Sequence, residues 1–184
     1  MKRLAAVLAM LLSLAATPAL AGPKVGDVLP DLTVKAQLNP SEAAYLGLPE
    51  KTQGVRLSQI KADVLIVEIF SMYCPRCQAE ALAVNRMFAR LAASPQGARI
   101  KFIGIGAGNS PFEVEFFRKK YQIPMPLIPD ADYVLHKVFM SVGTPSFFVL
   151  KPGRSGLAVL FFHEGVFQDE DAFYEQLLRA ATAR

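Results

Sequence analysis

The chain has 184 residues, 52% of them hydrophobic and 20% charged, with a formal net charge of +4. This length suits a single domain with a substantial hydrophobic core. The basic residues are scattered and the net charge is small, so the sequence does not favour binding to nucleic acid or to an anionic membrane surface. We expect one domain that is a monomer.

The first 21 residues have the layout of a secretory signal peptide. Lys2 and Arg3 precede an apolar stretch over residues 4–16, and residues 19–21 (Ala-Leu-Ala) form an A-x-A cleavage site. The alternative is a membrane anchor, but the apolar stretch is shorter than the roughly 20 residues that span a bilayer. We therefore predict that this segment is cleaved, that residues 22–184 form the mature domain, and that the protein is periplasmic or otherwise exported.

Hydrophobic periodicity and turn residues predict an alternation of strands and helices. In chain order the predicted elements are an extended piece over 32–36, a helix over 41–48 capped by Ser41, a strand over 64–70, a helix over 75–93, a strand over 100–105, a helix over 111–121 capped by Ser110, an irregular proline-rich segment over 123–130, a helical segment over 131–140, strands over 146–150 and 157–162, and a helix over 169–183. This order implies an α/β protein with a mixed sheet and helices on both faces, in three layers (α/β/α).

The most informative stretch is residues 64–80, where a buried strand leads through a short turn into a helix. The strand is apolar except for Glu68, as in strands buried on both faces. The turn is followed by Cys74-Pro75-Arg76-Cys77, which contains both cysteines of the protein. A bond between cysteines three residues apart closes a very small loop and removes little entropy from the unfolded chain. Stability is therefore a poor reason for this pair, which leaves chemistry.

The position of the two cysteines predicts their roles. Residues three apart share a helix face, so the sulfurs can form a disulfide without backbone movement. The helix N-terminus and Arg76 place positive charge near Cys74 and stabilise its thiolate. We predict that Cys74 is the attacking nucleophile and that Cys77, deeper in the helix, resolves the mixed disulfide. This chemistry uses the two sulfurs alone, and we expect no cofactor.

Cys74-Pro-Arg-Cys77 on a strand-to-helix turn, together with Gly143-Thr144-Pro145 before a later strand, resembles the thioredoxin superfamily. The export signal, residues 25–31 and Glu80 resemble its TlpA/ResA branch of exported thiol–disulfide oxidoreductases, which is related to the redoxin and AhpC/TSA proteins. The resemblance implies a thioredoxin-like fold and a cis Pro145 that lies against the cysteines. It also implies that the backbone of Thr144 pairs with an extended substrate.

The resemblance also implies partners: exported proteins with disulfides or thiols, and a membrane electron donor that re-reduces the pair. Tyr73 stands where thioredoxin has Trp, and Pro75 and Arg76 replace Gly-Pro; we expect these side chains to contact substrate. The residues between the cysteines influence the reduction potential. We predict a reductase of the kind used in cytochrome c maturation, although the sequence leaves the direction of electron flow and the client open. Four apolar side chains could together form a docking surface, although core packing is the favoured role for each aromatic ring taken alone: Met72, Tyr73, Phe112 and Phe147.

Two carboxylates flank the cysteines in sequence. Glu68 lies in the buried strand, where thioredoxins hold a buried acid, so its pKa should rise and it could exchange a proton with Cys77. The alternative is a strand-edge residue that reaches solvent. Glu80 matches a glutamate of the ResA-type motif, with a helix-surface acid favoured by the helix dipole as the alternative. Both would oppose thiolate formation, whereas Arg76 and the helix N-terminus favour it, so the sequence leaves the sign of the net pKa shift of Cys74 open.

Two other functions stay open. Peroxiredoxins share the fold, and Ser71 fits the Thr or Ser that precedes their reactive cysteine, but Val67 occupies the position of their proline. The cysteines with His136 and His163 could form a metal site or a copper carrier, but the spacing is not that of a zinc finger or of Sco proteins. We therefore expect no metal.

Overall fold

The computed structural model describes residues 22–36 and 38–183, so the predicted signal peptide lies outside the described residues. The described strands are β1 (Val28–Leu29), β2 (Thr33–Lys35), β3 (Gly54–Arg56), β4 (Val64–Phe70), β5 (Ile100–Ala107), β6 (Leu127–Asp130), β7 (Ser146–Gly153) and β8 (Gly156–Glu164). The described α-helices are α1 (Pro40–Leu46), α2 (Pro75–Ala93), α3 (Pro111–Tyr121), α4 (Val134–Val138) and α5 (Glu170–Thr182). In this part of the chain, no helix is both long and apolar enough to cross a bilayer.

Six strands form one mixed sheet in the order β1-β8-β7-β4-β5-β6, and β2 pairs with β3 in a separate two-stranded antiparallel sheet. β4, β5 and β6 are parallel, whereas β7 is antiparallel to both β4 and β8. The carboxyl ends of β4, β5, β6 and β8 and the start of β7 therefore meet at one edge of the sheet. We call this the Cys74 edge, because Cys74 follows β4.

The central strand β4 contributes side chains to the cores on both faces of the sheet. All seven of its residues are buried. Leu65, Val67 and Ile69 pack in the core that includes side chains of α1 and α4, whereas Ile66 and Phe70 pack with side chains of α2, α3 and α5. Helices cover both faces, which confirms the predicted three-layer α/β/α arrangement.

Local sequence signals set the bounds of β4, α2 and α3, which the structure confirms. At the start of α3, the Ser110 hydroxyl accepts the backbone N–H of Glu113 at 3.3 Å, and the Glu113 carboxylate accepts the Ser110 N–H at 2.7 Å. Pro111 occupies the first helical position, where its missing N–H has no helical partner to lose. The same proline position begins α2 at Pro75.

The cap predicted for the first helix is wrong: Asn39, not Ser41, is the N-cap of α1. The Asn39 side chain accepts the Glu42 N–H at 2.9 Å, and the Glu42 carboxylate accepts the Asn39 N–H at 3.0 Å. Pro40 lies between them at the first helical position. The helix therefore begins one residue earlier than predicted.

The proline-rich segment over residues 123–130 is also not wholly irregular, because it contains β6. Pro129 lies inside this strand, paired with Gly106 of β5. β6 is the last strand of the sheet and pairs on one side only. A proline is compatible with such an edge position, since its missing N–H would point away from the neighbouring strand.

The helix predicted over residues 131–140 is shorter than expected. Tyr133 before α4 has a left-handed backbone with φ 57°, and Met140 and Ser141 after it have φ 60° and 53°. The Asp130 carboxylate accepts the N–H of Leu135 at 3.1 Å and thereby holds the start of α4. These features limit the helix to Val134–Val138.

Candidate functional site

Cys74 is the N-cap residue of α2. Its backbone is extended, with φ −83° and ψ 113°, and its Sγ accepts the backbone N–H of Cys77 at 3.3 Å. The sulfur thus takes the place of the side-chain oxygen that usually caps a helix. Cys74 is partly exposed, Cys77 is buried, and both are free thiols in this structure. A disulfide of another molecule can therefore reach Cys74 but not Cys77.

Thr144 and Pro145 form the second side of the site. The peptide bond between them is cis, as the resemblance implies, and the Cys74 Sγ–H donates to the Thr144 carbonyl at 3.3 Å. These partners are 70 positions apart in the chain. They meet because β7 begins beside the end of β4, where Ser146 pairs with Ile69.

The two thiols have opposite pKa shifts. Partial burial raises the pKa of Cys74, but hydrogen bonds from the side chains of Cys77 and Thr144 and from the backbone of Cys77 and Arg76 outweigh it, so the pKa lies below its ordinary value. Burial raises the pKa of Cys77 far above its ordinary value, and the hydrogen bond to Cys74 and the nearby Glu68 carboxylate add to this rise. The pair therefore favours a thiolate on the accessible cysteine and a protonated thiol on the buried one.

Glu68 is buried in β4, with 4% of its surface exposed, and is paired with Phe147 of β7. Burial raises its pKa to about 8, and the negative charges of Glu80 and of the Cys74 thiolate contribute to the rise. The alternative of a strand-edge carboxylate in solvent is wrong, because β4 is a central strand. A carboxyl with this pKa can exchange a proton near neutral pH.

Glu80 lies on α2 one turn beyond Cys77 and is also buried, so it is not a helix-surface acid. One of its oxygens accepts the backbone N–H of Phe167 at 2.9 Å; the other, Oε2, has no hydrogen-bond partner within the described residues. Burial raises the pKa of Glu80 to about 7, against the lowering effect of the Phe167 hydrogen bond. The carboxyl joins α2 to the segment between β8 and α5.

A set of contacts that the sequence did not indicate holds the turn before Cys74. Asn109, fully buried after β5, accepts the backbone N–H of Met72 at 2.8 Å and donates to the Ser71 hydroxyl at 3.4 Å. The Gln78 side chain donates to the Met72 carbonyl at 2.7 Å. The Met72–Asn109 bond joins residues 37 positions apart. No local pattern in the sequence reports such a contact.

Replacement of Asn109 by Ala is expected to destabilise the protein by about 1–3 kcal/mol, because the N–H of Met72 loses its acceptor. We also expect slower alkylation of Cys74 by iodoacetamide at pH 7, since the turn positions its sulfur against the N–H groups of α2. Urea unfolding and the alkylation rate measure the two effects.

The matched control is Asn85→Ala, which removes hydrogen bonds from the Asn85 amide to the carbonyls of Tyr121 and Gln122 at 2.9 and 3.2 Å. This variant should lose stability without a change in Cys74 alkylation. If Asn109→Ala also left the alkylation rate unchanged, the Asn109 contact would not position the turn.

Three of the predicted substrate-contacting side chains, Tyr73, Pro75 and Arg76, are exposed around Cys74. Tyr73 is 65% exposed, and its hydroxyl donates to the carboxylate of Glu113 at the start of α3. Phe112 precedes Glu113 and is 79% exposed. The ends of β4 and β5 thus carry two exposed aromatic rings at the Cys74 edge.

Phe147 is not part of a docking surface and instead packs in the core, the role that the sequence favours for a single aromatic ring. It is fully buried, and its ring meets those of Phe167 and Phe173 edge-on, with centroids 5.9 and 5.0 Å away. The reason is that its side chain points from β7 towards α5. Met72 is partly buried and packs against the same core.

The two histidines bond to backbone carbonyls. Nε2 of His136 lies 2.7 Å from the Val142 carbonyl, and Nε2 of His163 lies 3.3 Å from the Val166 carbonyl. In residues 22–36 and 38–183, no group of three or more His, Cys, Asp or Glu side chains is placed to hold a metal ion. The metal-carrier alternative thus finds no ligand set in this part of the chain.

The arrangement defines a class of protein: a thioredoxin-fold thiol oxidoreductase, with a Cys-x-x-Cys pair at a helix start and a cis proline opposite. A model of the AhpC/TSA family matches residues 25–155, and the chain belongs to this family. At the level of that family, the protein is a thiol–disulfide oxidoreductase. No relative of the chain is found among curated proteins.

Solved structures share the fold at low sequence identity. A protein from Chlorobium tepidum, assigned as a thiol:disulfide interchange protein DsbE, is 18% identical, with 86% of this chain and 98% of that chain covered and a TM-score of 0.63. A secreted disulfide oxidoreductase from Mycobacterium tuberculosis is 17% identical, with 68% and 87% covered and a TM-score of 0.55. Peroxidoxin BcpB from M. tuberculosis is 21% identical, with 87% and 97% covered and a TM-score of 0.59. These likenesses confirm the thioredoxin-like fold.

Proposed function

We propose that the protein is an exported thiol–disulfide reductase that passes electrons to disulfides of exported client proteins. The thiol–disulfide exchange in this proposal is supported most directly by the asymmetry of the pair: Cys74 is accessible and has a lowered pKa, whereas Cys77 is buried and has a raised pKa. Such a pair has a defined attacking sulfur and a defined resolving sulfur.

In the proposed reaction the Cys74 thiolate attacks one sulfur of the client disulfide, and the other client sulfur leaves as a thiolate that takes a proton. A mixed disulfide then joins the client to Cys74. Cys77 loses its proton and attacks the Cys74 sulfur, which releases the second client thiolate. The products are the Cys74–Cys77 disulfide and a reduced client dithiol, so two electrons have passed from the protein to the client. A membrane thiol-electron donor would return the pair to the dithiol state.

We assign Glu68 as the base that accepts the proton of Cys77. It is buried near Cys77, whose pKa its charge raises, and its own pKa of about 8 suits a base near neutral pH. Glu80, with a pKa of about 7, is a second buried carboxyl beside the pair. Once ionised, Glu68 places negative charge near both sulfurs, and Glu80 adds to the negative charge around Glu68.

These two carboxyls support the reductase direction. A negative charge near the thiolate disfavours the dithiol state and favours the disulfide, so the pair gives up electrons more readily. Arg76 and the N-terminus of α2 act in the opposite sense. A role in cytochrome c maturation rests on the TlpA/ResA resemblance alone.

An extracytoplasmic location is part of the proposal. The sequence of residues 1–21 has the layout of a signal peptide, and one protein with the same fold is a secreted disulfide oxidoreductase. Fractionation of cells that express the full chain tests the location. A cytosolic protein that keeps these residues would contradict it.

The reduction potential of the Cys74–Cys77 pair tests the direction. We expect a value below about −220 mV, towards the roughly −270 mV of thioredoxin and away from the roughly −120 mV of the oxidant DsbA. The measurement is equilibration in glutathione buffers, with the oxidised fraction read by thiol-specific gel shift. A potential near −120 mV would favour an oxidase.

The purified protein can also be tested for the alternative function of a peroxidase, which the fold shared with BcpB keeps open. Among the described residues, no arginine side chain hydrogen-bonds to the Cys74 sulfur. The Ser71 hydroxyl accepts a hydrogen bond from the Asn109 amide and not from the Cys74 thiol. Rapid consumption of hydrogen peroxide with dithiothreitol as reductant, together with slow reduction of protein disulfides, would favour a peroxidase.

A further inference from the structure

We infer that Glu164 determines client specificity: its carboxylate favours clients that carry a lysine or arginine within a few residues of the disulfide cysteine. This inference rests on the proposed function, since it concerns which disulfides Cys74 attacks. It assigns a role to a residue that the sequence did not single out.

Glu164 is the last residue of β8, at the Cys74 edge. It is exposed and is paired with Ser146, the first residue of β7. The next residue, Gly165, donates its backbone N–H to the Pro145 carbonyl at 2.8 Å. The end of β8 therefore runs alongside the Thr144–Pro145 segment that faces Cys74.

The carboxylate lies against the backbone of Gly143. A Cβ at position 143 would be only 2.6 Å from Oε1 of Glu164, so the carboxylate occupies space that a side chain at this position would need. Gly143 directly precedes Thr144, whose carbonyl is hydrogen-bonded to the Cys74 sulfur. A negative charge thus stands one residue from the backbone beside the nucleophile.

This charge is available to a client. In the described part of the chain, Glu164 takes part in no ion pair, whereas the exposed acids Asp171 and Glu175 of α5 are both paired with Arg90. Because Glu164 has no ion-pair partner, a cation of another molecule can bind its carboxylate without breaking an existing ion pair.

The spacing between strands and the length of an extended client place the Glu164 carboxylate within reach of a client bound to Cys74. A disulfide holds the two Cα atoms about 4.4–6.8 Å apart, so a client cysteine joined to Cys74 lies beside the Thr144 segment. Neighbouring strands are about 4.8 Å apart, and β8 lies two strands from β4, or about 10 Å. An extended client advances about 3.3 Å per residue. A basic residue up to about three positions from the client cysteine can therefore approach Glu164.

The expected preference is moderate. Opposite charges about 4 Å apart attract by about 1 kcal/mol in water, which corresponds to roughly a fivefold change in rate, and salt screens this attraction. Arg76 is an exposed positive charge two residues from Cys74, and it would favour acidic clients. The two charges therefore have opposite effects and can be separated by substitution.

The test uses short peptides with one cysteine, each activated as a mixed disulfide with thionitrobenzoate. The reduced protein attacks the peptide sulfur and releases thionitrobenzoate, whose absorbance reports the rate. The peptides differ only in whether Lys, Gln or Glu stands two residues from the cysteine on either side. At low salt we expect the Lys peptides to react about three to ten times faster than the Glu peptides. The ratio should approach one in 0.5 M NaCl. In Glu164→Gln it should fall to one or below, because Arg76 remains and favours the Glu peptides.

Glu50→Gln is the matched control, since Glu50 is exposed and lies in the loop after α1, towards the opposite edge of the sheet. There the Leu46 carbonyl at the end of α1 accepts the N–H of Lys61, shortly before β4 begins. This variant should keep the wild-type ratio, whereas Arg76→Gln should increase it. Equal rates for Lys and Glu peptides, or a ratio that Glu164→Gln leaves unchanged, would overturn the inference about Glu164 alone. Failure of every peptide to react would instead overturn the proposed function.

Discussion

A Cys74→Ser variant is expected to reduce insulin disulfides at least about 1,000 times more slowly than the wild-type protein, the order of loss that follows removal of an essential nucleophile. A serine hydroxyl is not ionised at neutral pH. Cys77 cannot replace the lost thiolate, because it is buried and its pKa is raised by that burial. The rate of insulin precipitation with dithiothreitol as electron donor, after subtraction of the rate without protein, gives the measurement.

Cys77→Ser separates the two sulfurs. This variant keeps the accessible nucleophile and loses the resolving thiol, so it should trap a mixed disulfide between Cys74 and the client. Such a species appears on a non-reducing gel and disappears with dithiothreitol. Insulin reduction at the wild-type rate by Cys74→Ser would reject the mechanism, and a trapped species in that variant would reverse the assigned roles.

The parts of the fold that the sequence predicts well are those with strong local signals. β4 is an unbroken apolar run, and its burial on both faces produces that pattern directly. α2 and α3 each begin with a proline at the first helical position, and Ser110 caps α3 through its own side chain. The residues in each of these interactions lie within a few positions of one another, so the interactions can be recognised from the sequence alone.

Other features depend on neighbours that are distant in the chain. The sequence leaves open whether Phe147 joins a docking surface or the core, and it is buried because α5 covers that face of β7. β6 contains Pro129, and only its place at the sheet edge makes this acceptable. The bonds of Asn109 to the turn before Cys74, and of Glu80 to Phe167, span 37 and 87 residues. Such contacts follow from the assembled sheet and not from local pattern.

The site contains both features that local sequence predicts and features that depend on residues distant in the chain. The apolar surroundings of Glu68 predict a raised pKa, and the structure agrees. The sequence leaves the sign of the Cys74 shift open, because the helix start and Arg76 oppose the two carboxylates; in the structure, hydrogen bonds to the Cys74 sulfur lower its pKa. The carboxylate of Glu164, by contrast, becomes relevant only once β8 is seen beside the Thr144 segment. Chemistry that depends on burial within one strand or one turn can be predicted, whereas the surroundings that select a client cannot.

Glu68→Gln is expected to remove most of the loss of stability that the wild-type protein shows between about pH 5 and pH 8.5. In the folded protein Glu68 has a pKa of about 8, well above its ordinary value, because it is buried. The folded state therefore holds a proton that the unfolded state has released, and the free energy of unfolding falls as pH rises through this window. Each unit of pKa corresponds to about 1.4 kcal/mol, so the loss amounts to a few kcal/mol.

Urea unfolding at several pH values measures how the free energy of unfolding falls with pH. All variants are made in the Cys74→Ser protein, because ionisation of Cys74 changes the free energy of unfolding in the opposite direction. The pKa of Cys74 is lowered, so its ionisation stabilises the folded state as pH rises. Glu80, with a pKa of about 7, acts in the same sense as Glu68 and should leave a smaller slope in Glu68→Gln. Glu175→Gln, an exposed acid on α5, serves as the control and should keep the full slope. Equal slopes in wild type and Glu68→Gln would mean that Glu68 is ionised in the folded protein at neutral pH.

The same substitution bears on the resolving step, where its effect on rate should be large. An amide matches the shape of the carboxyl but cannot accept the proton of Cys77, so attack on the mixed disulfide should slow by about 100-fold at pH 7, a typical contribution of a positioned base. The first attack by Cys74 does not need that proton and should keep its rate, which makes the mixed disulfide accumulate as it does in Cys77→Ser. A mixed disulfide that resolves at the wild-type rate in Glu68→Gln would assign the proton to another group, and Glu80, the second buried carboxyl beside the pair, would be the next to test by Glu80→Gln.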